Sequence, residues 1–424
     1  MALNHVLGYR CSVCGAEQAY APRDVVYACP RCSGNFDLVF DYEAIRRAAP
    51  GRATPEPSLW RYLPLLPVSD PGLTGTPLRA AGWTPLYRAE RLEERLGQNR
   101  VFIKDDGRNP TASFKDRASA VVVARALELG VSRVVTASTG NAGAALAGMA
   151  AAAGVPATIL APASAPPAKV AQLLVFGAQV VLVDGTYDDA FDLTVQAAET
   201  FGWYCRNTGY NPFTAEGKKS AAFEIAEQLA AFSVPIDGCW PVPDVLCVSV
   251  GDGNILSGIW RGFQDLLRLG WTERMPKLIG VQAEGSAACA RAWESQAEKI
   301  VPVSARTLAD SISVDLPRDG LRAVHAVRDT GGSFVVVSDD EILAAMATLG
   351  REAAVFAEPA GATAYAGLAK AVGQGLVPAD ASVLVMNTGN GLKDVASARR
   401  AVSEPMRIAP NLESLREALG ARSA

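Results

Sequence analysis

The sequence predicts an α/β fold built on parallel sheets, and three observations support this prediction. After residue 58, short runs of β-branched residues alternate with alanine-rich stretches, which is the pattern of successive strand and helix units. Several of the runs are apolar throughout, as strands buried on both faces are. Polar, glycine-containing turns follow three of them, at the end of the strand where such sheets bind ligands.

The predicted strands are short and separated by helices. They cover residues 100–104, 134–137, 157–160, 178–183, 245–250, 277–282 and 382–386. Residues 134–168 contain no charged side chain, and a stretch of that length could span a bilayer. The turn at 138–141 and Pro156 divide it into a strand, a helix at 141–153 and a second strand, so a buried parallel sheet explains the missing charge.

Length and charge restrict the function classes. A chain of 424 residues predicts about three domains. The net charge is −4, and no run of Lys or Arg stands out, which argues against a nucleic acid or an anionic membrane as partner. Residues 1–10 lack the apolar stretch of a secretory signal. We therefore expect a cytoplasmic protein that acts on small molecules.

Four cysteines near the N-terminus have the spacing of a zinc ribbon. They form two CxxC pairs, Cys11 with Cys14 and Cys29 with Cys32. Two such knuckles place four thiolates around one ion, which suits a closed, structural zinc site. Gly15 and Gly34 follow the pairs, where each knuckle needs a residue that tolerates positive φ. Disulfides or a ribbon without metal are the alternatives, and a cytoplasmic setting disfavours disulfides.

A lysine in a small-residue turn is the leading catalytic candidate. Lys115 lies in the segment NPTASFKDR, residues 109–117, directly before a predicted helix. An amine held in this way can form a Schiff base with pyridoxal phosphate (PLP), and the cofactor then carries the chemistry. Burial beside a cationic group would lower the pKa of the lysine and favour the neutral amine. The alternative is a surface lysine that opens a helix.

Three further segments fall where a cofactor site needs them. Residues 138–143 read STGNAG, residues 251–254 read GDGN, and residues 387–394 read NTGNGLKD. Backbone amides at a helix N-terminus attract anions, and glycines let the chain wrap a phosphate. Each segment alone could be an ordinary turn, the first with a serine or threonine cap. Their order after Lys115 favours a common site.

These four segments resemble those of fold-type II PLP enzymes, and most closely those of threonine synthases. The resemblance covers residues 84–394, including TPL at 84–86 and EPA at 358–360. It implies two three-layer α/β domains with the cofactor in the cleft between them, and a homodimer. The large domain would comprise 59–115 and 216–424, and the small domain 116–215. A zinc-ribbon-like module and linker, residues 1–58, would precede them, as in some threonine synthases.

The resemblance also implies a role for each matching residue. Lys115 would hold PLP and later move protons. The other cofactor contacts would be Asn141 at the ring hydroxyl, Thr388 at the pyridine nitrogen, and Gly251, Asp252, Gly253 and Asn254 at the phosphate. The substrate contacts would be Ser138, Thr139 and Thr214. Because a hydroxyl cannot keep the pyridine nitrogen protonated, Thr388 suits elimination and replacement rather than transamination.

Two positions depart from the family pattern. Asp252 adds an acid to a loop that is usually neutral and longer, so we expect it to point away from the phosphate or to cap the helix. Thr214 stands where threonine synthases have an arginine for the substrate phosphate, and a hydroxyl replaces a fork of charged donors. Lys104, Arg108 and Lys218 are the candidates to compensate. Residues 310–318 also look unlike the family and are candidates to line a different substrate pocket.

The leading hypothesis is a PLP-dependent lyase of the threonine synthase type, which converts O-phospho-L-homoserine and water to L-threonine and phosphate. One alternative is β-elimination or β-replacement on another amino acid, as in serine or threonine ammonia-lyases and cysteate-synthase-like enzymes. Another is a zinc-ribbon scaffold that binds PLP without turnover. Intact Lys115, Asn141 and Thr388 argue against the scaffold.

Overall fold

Three sheets organise the chain in a computed structural model that describes residues 5–49, 54–138, 140–165, 167–233 and 238–420. The first sheet is antiparallel, with β1 in the centre. Its strands are β1 (Val6–Cys11), β2 (Glu17–Ala19) and β3 (Phe36–Phe40). The helix α1 (Tyr42–Ala48) follows, capped by the Asp41 side chain, which accepts a hydrogen bond from the Ala44 N–H.

The large sheet has six strands in the order β12-β11-β10-β13-β5-β4. They are β4 (Leu86–Arg88), β5 (Arg100–Asp105), β10 (Val245–Ser249), β11 (Lys277–Ala283), β12 (Ser333–Val337) and β13 (Ser382–Asn387). All neighbours run parallel except the edge pair of β4 and β5. The central strands β10 and β13 are buried along their whole length, which explains their unbroken apolar sequences.

The small sheet has four parallel strands in the order β8-β7-β6-β9. They are β6 (Val134–Ala137), β7 (Ala157–Pro162), β8 (Gln179–Val183) and β9 (Tyr204–Cys205). All four lie within the segment predicted as the small domain. The predicted domain boundaries themselves stay a prediction.

Helices cover the faces of both sheets. The described helices between β4 and β9 are α2 (Glu90–Leu96), α3 (Lys115–Leu129), α4 (Asn141–Ala153), α5 (Pro167–Val175) and α6 (Tyr187–Phe201). Those that follow are α7 (Phe213–Leu229), α8 (Asn254–Leu269), α9 (Ala288–Glu294), α10 (Gly320–Asp329), α11 (Asp339–Ala353), α12 (Pro359–Gly373), α13 (Val395–Arg400) and α14 (Leu412–Gly420). Short 3₁₀ turns occupy Leu59–Leu65, Asp106–Arg108, Glu284–Ser286, Asp310–Ile312 and Gly391–Asp394.

The predicted α/β fold is confirmed, and the seven predicted strands all exist with ends within one or two residues. The predicted helix at 141–153 coincides with α4, and the one ending near residue 269 is α8. Of the described strands, β4, β9 and β12 of the two α/β sheets and the three strands of the N-terminal sheet were not among those predicted. No helix in the described ranges is long and apolar enough to cross a membrane.

A buried ion network fixes α3 against α7 and the large sheet. The guanidinium of Arg117 donates to both carboxylate oxygens of Asp106, at 2.6 and 2.9 Å, and to both of Glu224, at 2.5 and 2.7 Å. Lys104 donates to Glu224 at 2.7 Å. Burial alone would raise the pKa of Glu224, but Arg117 and Lys104 override it and hold that pKa at about 2. The network anchors the helix that begins with Lys115.

Candidate active site

The four N-terminal thiols converge as predicted. The sulfur atoms of Cys11, Cys14, Cys29 and Cys32 all lie within 4.8 Å of one another. The shortest separations are 3.5 and 3.7 Å, far longer than the ~2.05 Å of a disulfide, and all four cysteines are free. The thiol of Cys11 accepts from the N–H groups of Val13 and Cys14, as in a ligand knuckle. The chemistry of this donor set fits zinc.

The two knuckles use different residues at positive φ. Gly15 has a φ of +70°, as predicted. In the second knuckle Ser33, not Gly34, takes the left-handed conformation, with a φ of +58°. Gly34 is needed for another reason, because a Cβ there would lie 2.9 Å from the Cys11 sulfur. The prediction about Gly34 was therefore wrong in its cause: the glycine allows close approach rather than a special φ.

Lys115 is the first residue of α3 and borders two adjoining cavities at the carboxyl ends of the strands. The first, of about 470 Å³, is also lined by the loop 251–254, Thr208, Glu358 and Thr388. The second, of about 960 Å³ with its open mouth, is lined by Ser138, Tyr187 and Ser313 among others. Lys115, Asn141, Thr208, Asp252 and Ser311 border both cavities. One amine therefore faces two spaces of small-molecule size.

The pKa of Lys115 is lowered to about 8. Burial is the main cause, the charge of Arg206 adds to it, and Asp252 and Glu358 oppose it. An ordinary lysine has a pKa near ~10.4. A much larger fraction of this amine is therefore neutral at physiological pH, which is the form that attacks a carbonyl.

Backbone contacts bring the Thr388 segment against the lysine turn. The N–H of Phe114 donates to the Thr388 carbonyl at 2.9 Å, and the N–H of Asn390 donates to the Ala112 carbonyl at 3.1 Å. A β-bridge joins Ser113 to Gly389. These pairings place Thr388, which is buried, on the wall of the smaller cavity opposite the loop after β10.

That loop, Gly251–Asn254, forms the turn between β10 and α8. Gly253 is the N-cap of α8 with a φ of +89°, and no side chain caps this helix, so of the two alternatives expected for Asp252, capping the helix is excluded. The Asp252 carboxylate instead accepts from the Arg318 N–H at 3.3 Å. Burial raises the pKa of Asp252, while Lys115, the Arg318 N–H and Lys218 lower it. Nearby cations thus offset the acid that departs from the family pattern.

Asn141 begins α4 and is held by an acid that the sequence did not single out for the site. Its Nδ2 donates to the buried carboxylate of Glu358 at 2.5 Å. Glu358 belongs to the EPA segment and precedes Pro359, the first residue of α12. Burial raises the pKa of Glu358, and Lys169 and Lys393 oppose that rise. Ser311, from the unusual segment 310–318, lies 3.3 Å from the same amide.

The predicted substrate contacts differ in position. Ser138 lines the larger cavity, and its hydroxyl accepts from the N–H groups of Gly140 and Gly143 at 3.1 and 2.8 Å. Thr139 lies outside the described residues. Thr214 is buried in the first turn of α7, where its hydroxyl donates to the Asn211 carbonyl at 2.8 Å. It sits 3.5 Å behind Asn254 rather than on either cavity wall.

Of the three cations proposed to compensate for Thr214, only one lies at the loop 251–254. Lys104 is buried in the ion network, and Arg108 is exposed. Lys218 is buried on α7, and its amine donates to Asn254 Oδ1. Burial, followed by repulsion from Lys115 and Arg206, lowers the pKa of Lys218.

Arg206 is a functional candidate that sequence reasoning missed. It follows β9, is fully buried, and donates to Thr208 at 2.7 Å and to Ser119 at 3.3 Å. Its Nη2 has no hydrogen-bond partner among the described residues. Burial lowers its pKa to about 10, so it stays charged at neutral pH. No motif surrounds it in the sequence, and only the fold brings it near Lys115.

These elements define a class: an α/β fold with two largely parallel sheets, whose strands end at a cleft that holds a buried lysine of lowered pKa and two glycine-containing turns at the starts of helices. Solved structures share the architecture. Diaminopropionate ammonia lyase from Escherichia coli aligns with a TM-score of 0.64 and 22% identity over 75% of this chain and 87% of that one. Threonine deaminase isoform 2 from Solanum lycopersicum aligns at 0.63 and 21% over 91% and 98%.

The family is shown by sequence. Residues 78–389 match the family described as pyridoxal-phosphate dependent enzymes. Threonine synthase of Methanosarcina acetivorans is 39% identical over 412 residues, 97% of this chain and 98% of the relative. That of Methanocaldococcus jannaschii is 37% identical, covering 97% and 98%, and that of Synechocystis is 38% identical, covering 85% and 89%. The chain belongs to this family of PLP-dependent enzymes.

Proposed function

We propose that the protein is a threonine synthase, a PLP-dependent lyase that converts O-phospho-L-homoserine and water to L-threonine and phosphate. The structural observation that best supports this proposal is the position of Lys115. Its amine, with a pKa of about 8, borders two cavities beside turns that could bind anions. The threonine synthases that align over 97% of the chain support the choice of reaction.

The residues present fit PLP. Lys115 would hold its aldehyde carbon, the amides of Gly251 to Asn254 its phosphate, Asn141 its ring hydroxyl and Thr388 its ring nitrogen. When bound, the cofactor supplies an electron sink for charge that develops on the substrate carbon. The Asn141 amide is oriented by Glu358, because Nδ2 donates to that carboxylate. The N-terminus of α8 presents unpaired N–H groups and the positive end of the helix dipole.

Lys115 is also the candidate for moving protons within the site. Its lowered pKa allows Nζ to accept a proton from a substrate carbon and to return one without a large free-energy cost in either direction. The two histidines lie away from the cleft: His5 precedes β1, and His325 lies on α10, where it contacts Glu298. A lysine therefore carries the acid–base role that histidine often has.

The charges around the cleft match a substrate with several anionic groups. Three basic side chains, Lys115, Arg206 and Lys218, lie at the site, and Lys218 and Arg206 have only neutral hydrogen-bond partners among the described residues. Burial lowers the pKa of all three, and Asp252 opposes that effect without a direct ion pair in the described chain, so bound anions would stabilise their charged forms. Phosphohomoserine brings a phosphate and a carboxylate in addition to the cofactor phosphate.

Three further properties belong to this proposal. The four cysteines would bind one structural zinc ion, supported by their convergence within 4.8 Å. The protein would act in the cytoplasm, which the absence of disulfides among its described cysteines supports. It would form a homodimer, which sedimentation equilibrium tests.

The reaction is tested by incubating the purified holoenzyme with phosphohomoserine and measuring threonine and phosphate in parallel. Equal amounts of both products are expected. Phosphoserine, serine and threonine serve as competing substrates, and consumption of one of these without threonine formation would replace the proposal with β-elimination or β-replacement. Lys115→Ala should abolish turnover, whereas Lys277→Ala, an exposed lysine at the far end of β11, should not.

The cofactor linkage is tested separately. Borohydride reduction of the holoenzyme followed by peptide mapping should place the label on Lys115. A label on another lysine would refute the assignment of Lys115, whatever the substrate is.

A further inference from the structure

Asp319 joins the N-terminal metal module to the loop at the start of α8. It precedes α10 and is 3% exposed. Its Oδ2 accepts from Asn254 Nδ2 at 2.7 Å and from the Ser257 hydroxyl, both in the first turn of α8. Its backbone N–H donates to the Asp252 carbonyl at 2.9 Å. One residue thus holds the loop through side chain and backbone together.

The other carboxylate oxygen of Asp319, Oδ1, faces the ribbon. Asp319 Oδ1 accepts from Asn35 Nδ2 at 2.9 Å and lies 3.4 Å from Arg322 Nε. Asn35 follows the second knuckle, and its carbonyl accepts from the N–H and the hydroxyl of Ser12 in the first knuckle, at 2.9 and 3.0 Å. Arg322 lies 3.0 Å from Asp37 of β3. Closing the two knuckles around one ion therefore fixes the residues that support Asp319.

The consequence at the loop is a defined orientation of Asn254. Its Nδ2 points to the carboxylate of Asp319, and its Oδ1 accepts from the Lys218 amine. An amide between an anion and a cation has one favourable orientation. Gly253 packs closely against the same residue, and only glycine fits there, because a Cβ would lie 2.7 Å from the Asp319 carbonyl oxygen. The geometry of the loop thus depends on Asp319 and, through it, on the ribbon.

We propose that Asp319 is a positioning residue for the cofactor-phosphate loop and that Asn35 of the ribbon holds it in place. The N-terminal module is then part of the cofactor site's scaffold. This inference rests on the proposed role of Gly251–Asn254 in binding the cofactor phosphate. It predicts that cofactor affinity responds to a substitution on the ribbon.

The experiment measures the dissociation constant of PLP from the full-length protein by fluorescence titration. Asn35→Ala removes one donor to Asp319 without touching the cleft, and affinity should fall roughly 2- to 10-fold. Asp319→Asn replaces one acceptor oxygen with an N–H donor. That donor would face either the amide of Asn35 or the donors of Asn254 and Ser257, and affinity should fall about 10-fold or more. The substrate KM, measured at saturating PLP, should change less than the PLP dissociation constant.

Tyr42→Phe is the matched control. Tyr42 is also on the ribbon side and donates to the Asp265 carboxylate of α8 at 2.6 Å, at the other end of that helix. It should leave PLP affinity unchanged. If Asn35→Ala binds PLP as tightly as the wild type, or if Tyr42→Phe weakens it equally, the specific link through Asp319 is refuted.

Asn254→Ala separates this inference from the assignment on which it rests. If Asn254→Ala lowers PLP affinity and Asn35→Ala does not, the loop assignment stands and the link to the ribbon fails. If neither Asn254→Ala nor Gly253→Ala, which disturbs the backbone amides themselves because residue 253 has a φ of +89° and no room for a Cβ, has any effect, the loop assignment itself fails. Threonine formation enters neither readout, so an error in the proposed reaction would not be mistaken for either result.

Discussion

At the scale of single residues, the site contains buried basic groups that form no direct ion pair in the described part of the chain. Lys115 has a lowered pKa because it is buried beside Arg206. Arg206 and Lys218 are buried with only neutral hydrogen-bond partners in the described chain. Their charged forms are costly in the protein without ligands and are stabilised by bound anions, so anion binding should raise the pKa of these groups.

The pH dependence of cofactor capture tests the environment of Lys115. The neutral amine is the reactive form, and lowering its pKa to about 8 makes that form more abundant near neutrality. The rate at which the apoprotein captures PLP should rise about tenfold per pH unit below this value and level off above it, once the cofactor's own titration is subtracted. Stopped-flow absorbance between pH 6 and 10 measures it.

Nα-acetyl-lysine in free solution, which keeps its side-chain amine, provides the reference, since the rate at which it captures PLP should still be rising near pH 10. Arg206→Met should shift the inflection of the protein upward, because the charge of Arg206 lowers the pKa of Lys115. A profile for the wild type that follows free lysine would contradict the lowered pKa.

Arg206 lies behind the walls of both cavities rather than on them, but its Nη2 has no partner among the described residues, so we expect it to reach an anionic group of the bound substrate. Arg206→Met keeps much of the side-chain volume and removes the charge. A lost charge-assisted hydrogen bond costs about 1.5–3 kcal/mol, or roughly 10- to 150-fold, and we expect the KM for phosphohomoserine to rise within that range. Arg133→Met, at a partly exposed arginine before β6, is the control. An unchanged KM in the Arg206 variant would exclude the contact.

The residues that the sequence did and did not reveal differ in one physical respect. Lys115, Asn141 and the loop at 251–254 lie in contiguous motifs that combine a turn, a glycine and a helix start, so local sequence predicted that they would lie at a cleft. Arg206 was not singled out at all, and for Glu358 and Lys218 the sequence suggested the positions but not the partners, because all three act through contacts between distant segments. The Glu358 carboxylate reaches Asn141 across more than two hundred residues of chain, and no local pattern carries that information.

At the scale of elements, the ribbon shows how spacing predicts a module but not its detail. The two CxxC pairs predicted the convergence of four thiols, which the structure shows. They did not predict that Ser33 would take positive φ, because serine rarely does so outside a constrained turn. Strands β4 and β9 were missed because they are three and two residues long, too short for any periodicity.

Metal analysis tests the ribbon directly. Protein prepared under reducing conditions should contain one zinc per chain. Cys29→Ser should lose the metal and lower the unfolding temperature, because binding at such a site contributes directly to folding. Cys239→Ser, at a cysteine outside the ribbon, should keep it. Absence of zinc from freshly reduced wild-type protein would leave a metal-free ribbon as the correct description.

At the scale of the whole molecule, the N-terminal module shares its core with the rest of the chain. Tyr9, Phe36, Leu38 and Phe40 belong to one apolar cluster with residues of α3, α7 and α8. The Lys219 amine of α7 lies 4.2 Å from the centroid of the Phe40 ring. On the other side, the ring of Tyr27 stacks on Tyr210 next to the small sheet, and its hydroxyl accepts from the Cys205 N–H. The ribbon therefore bridges both sheets.

Deleting residues 1–57 should destabilise the remaining chain rather than release an independent catalytic unit. The deletion exposes apolar faces of the large core, each buried side chain contributing about 1.5–3 kcal/mol. It also removes Asp37 from Arg261, at 2.8 Å, and the Pro22 carbonyl from Arg125, at 2.7 Å. A loss of several kcal/mol lowers the unfolding temperature of a large chain by roughly 10 °C, or prevents folding where the total stability is only ~5–15 kcal/mol.

Differential scanning calorimetry of the two chains provides the measurement, and a deletion at the other end is its control. Removing residues 404–424 takes away α14, which has no buried residues, and should leave the unfolding temperature within a few degrees of the wild type. The intact protein should unfold in one transition, because the ribbon and the α/β sheets are joined by one core. If a chain starting at residue 58 unfolds at the wild-type temperature, the ribbon does not contribute to the stability of the α/β core. That result would also count against the proposed link from Asn35 to the cofactor loop.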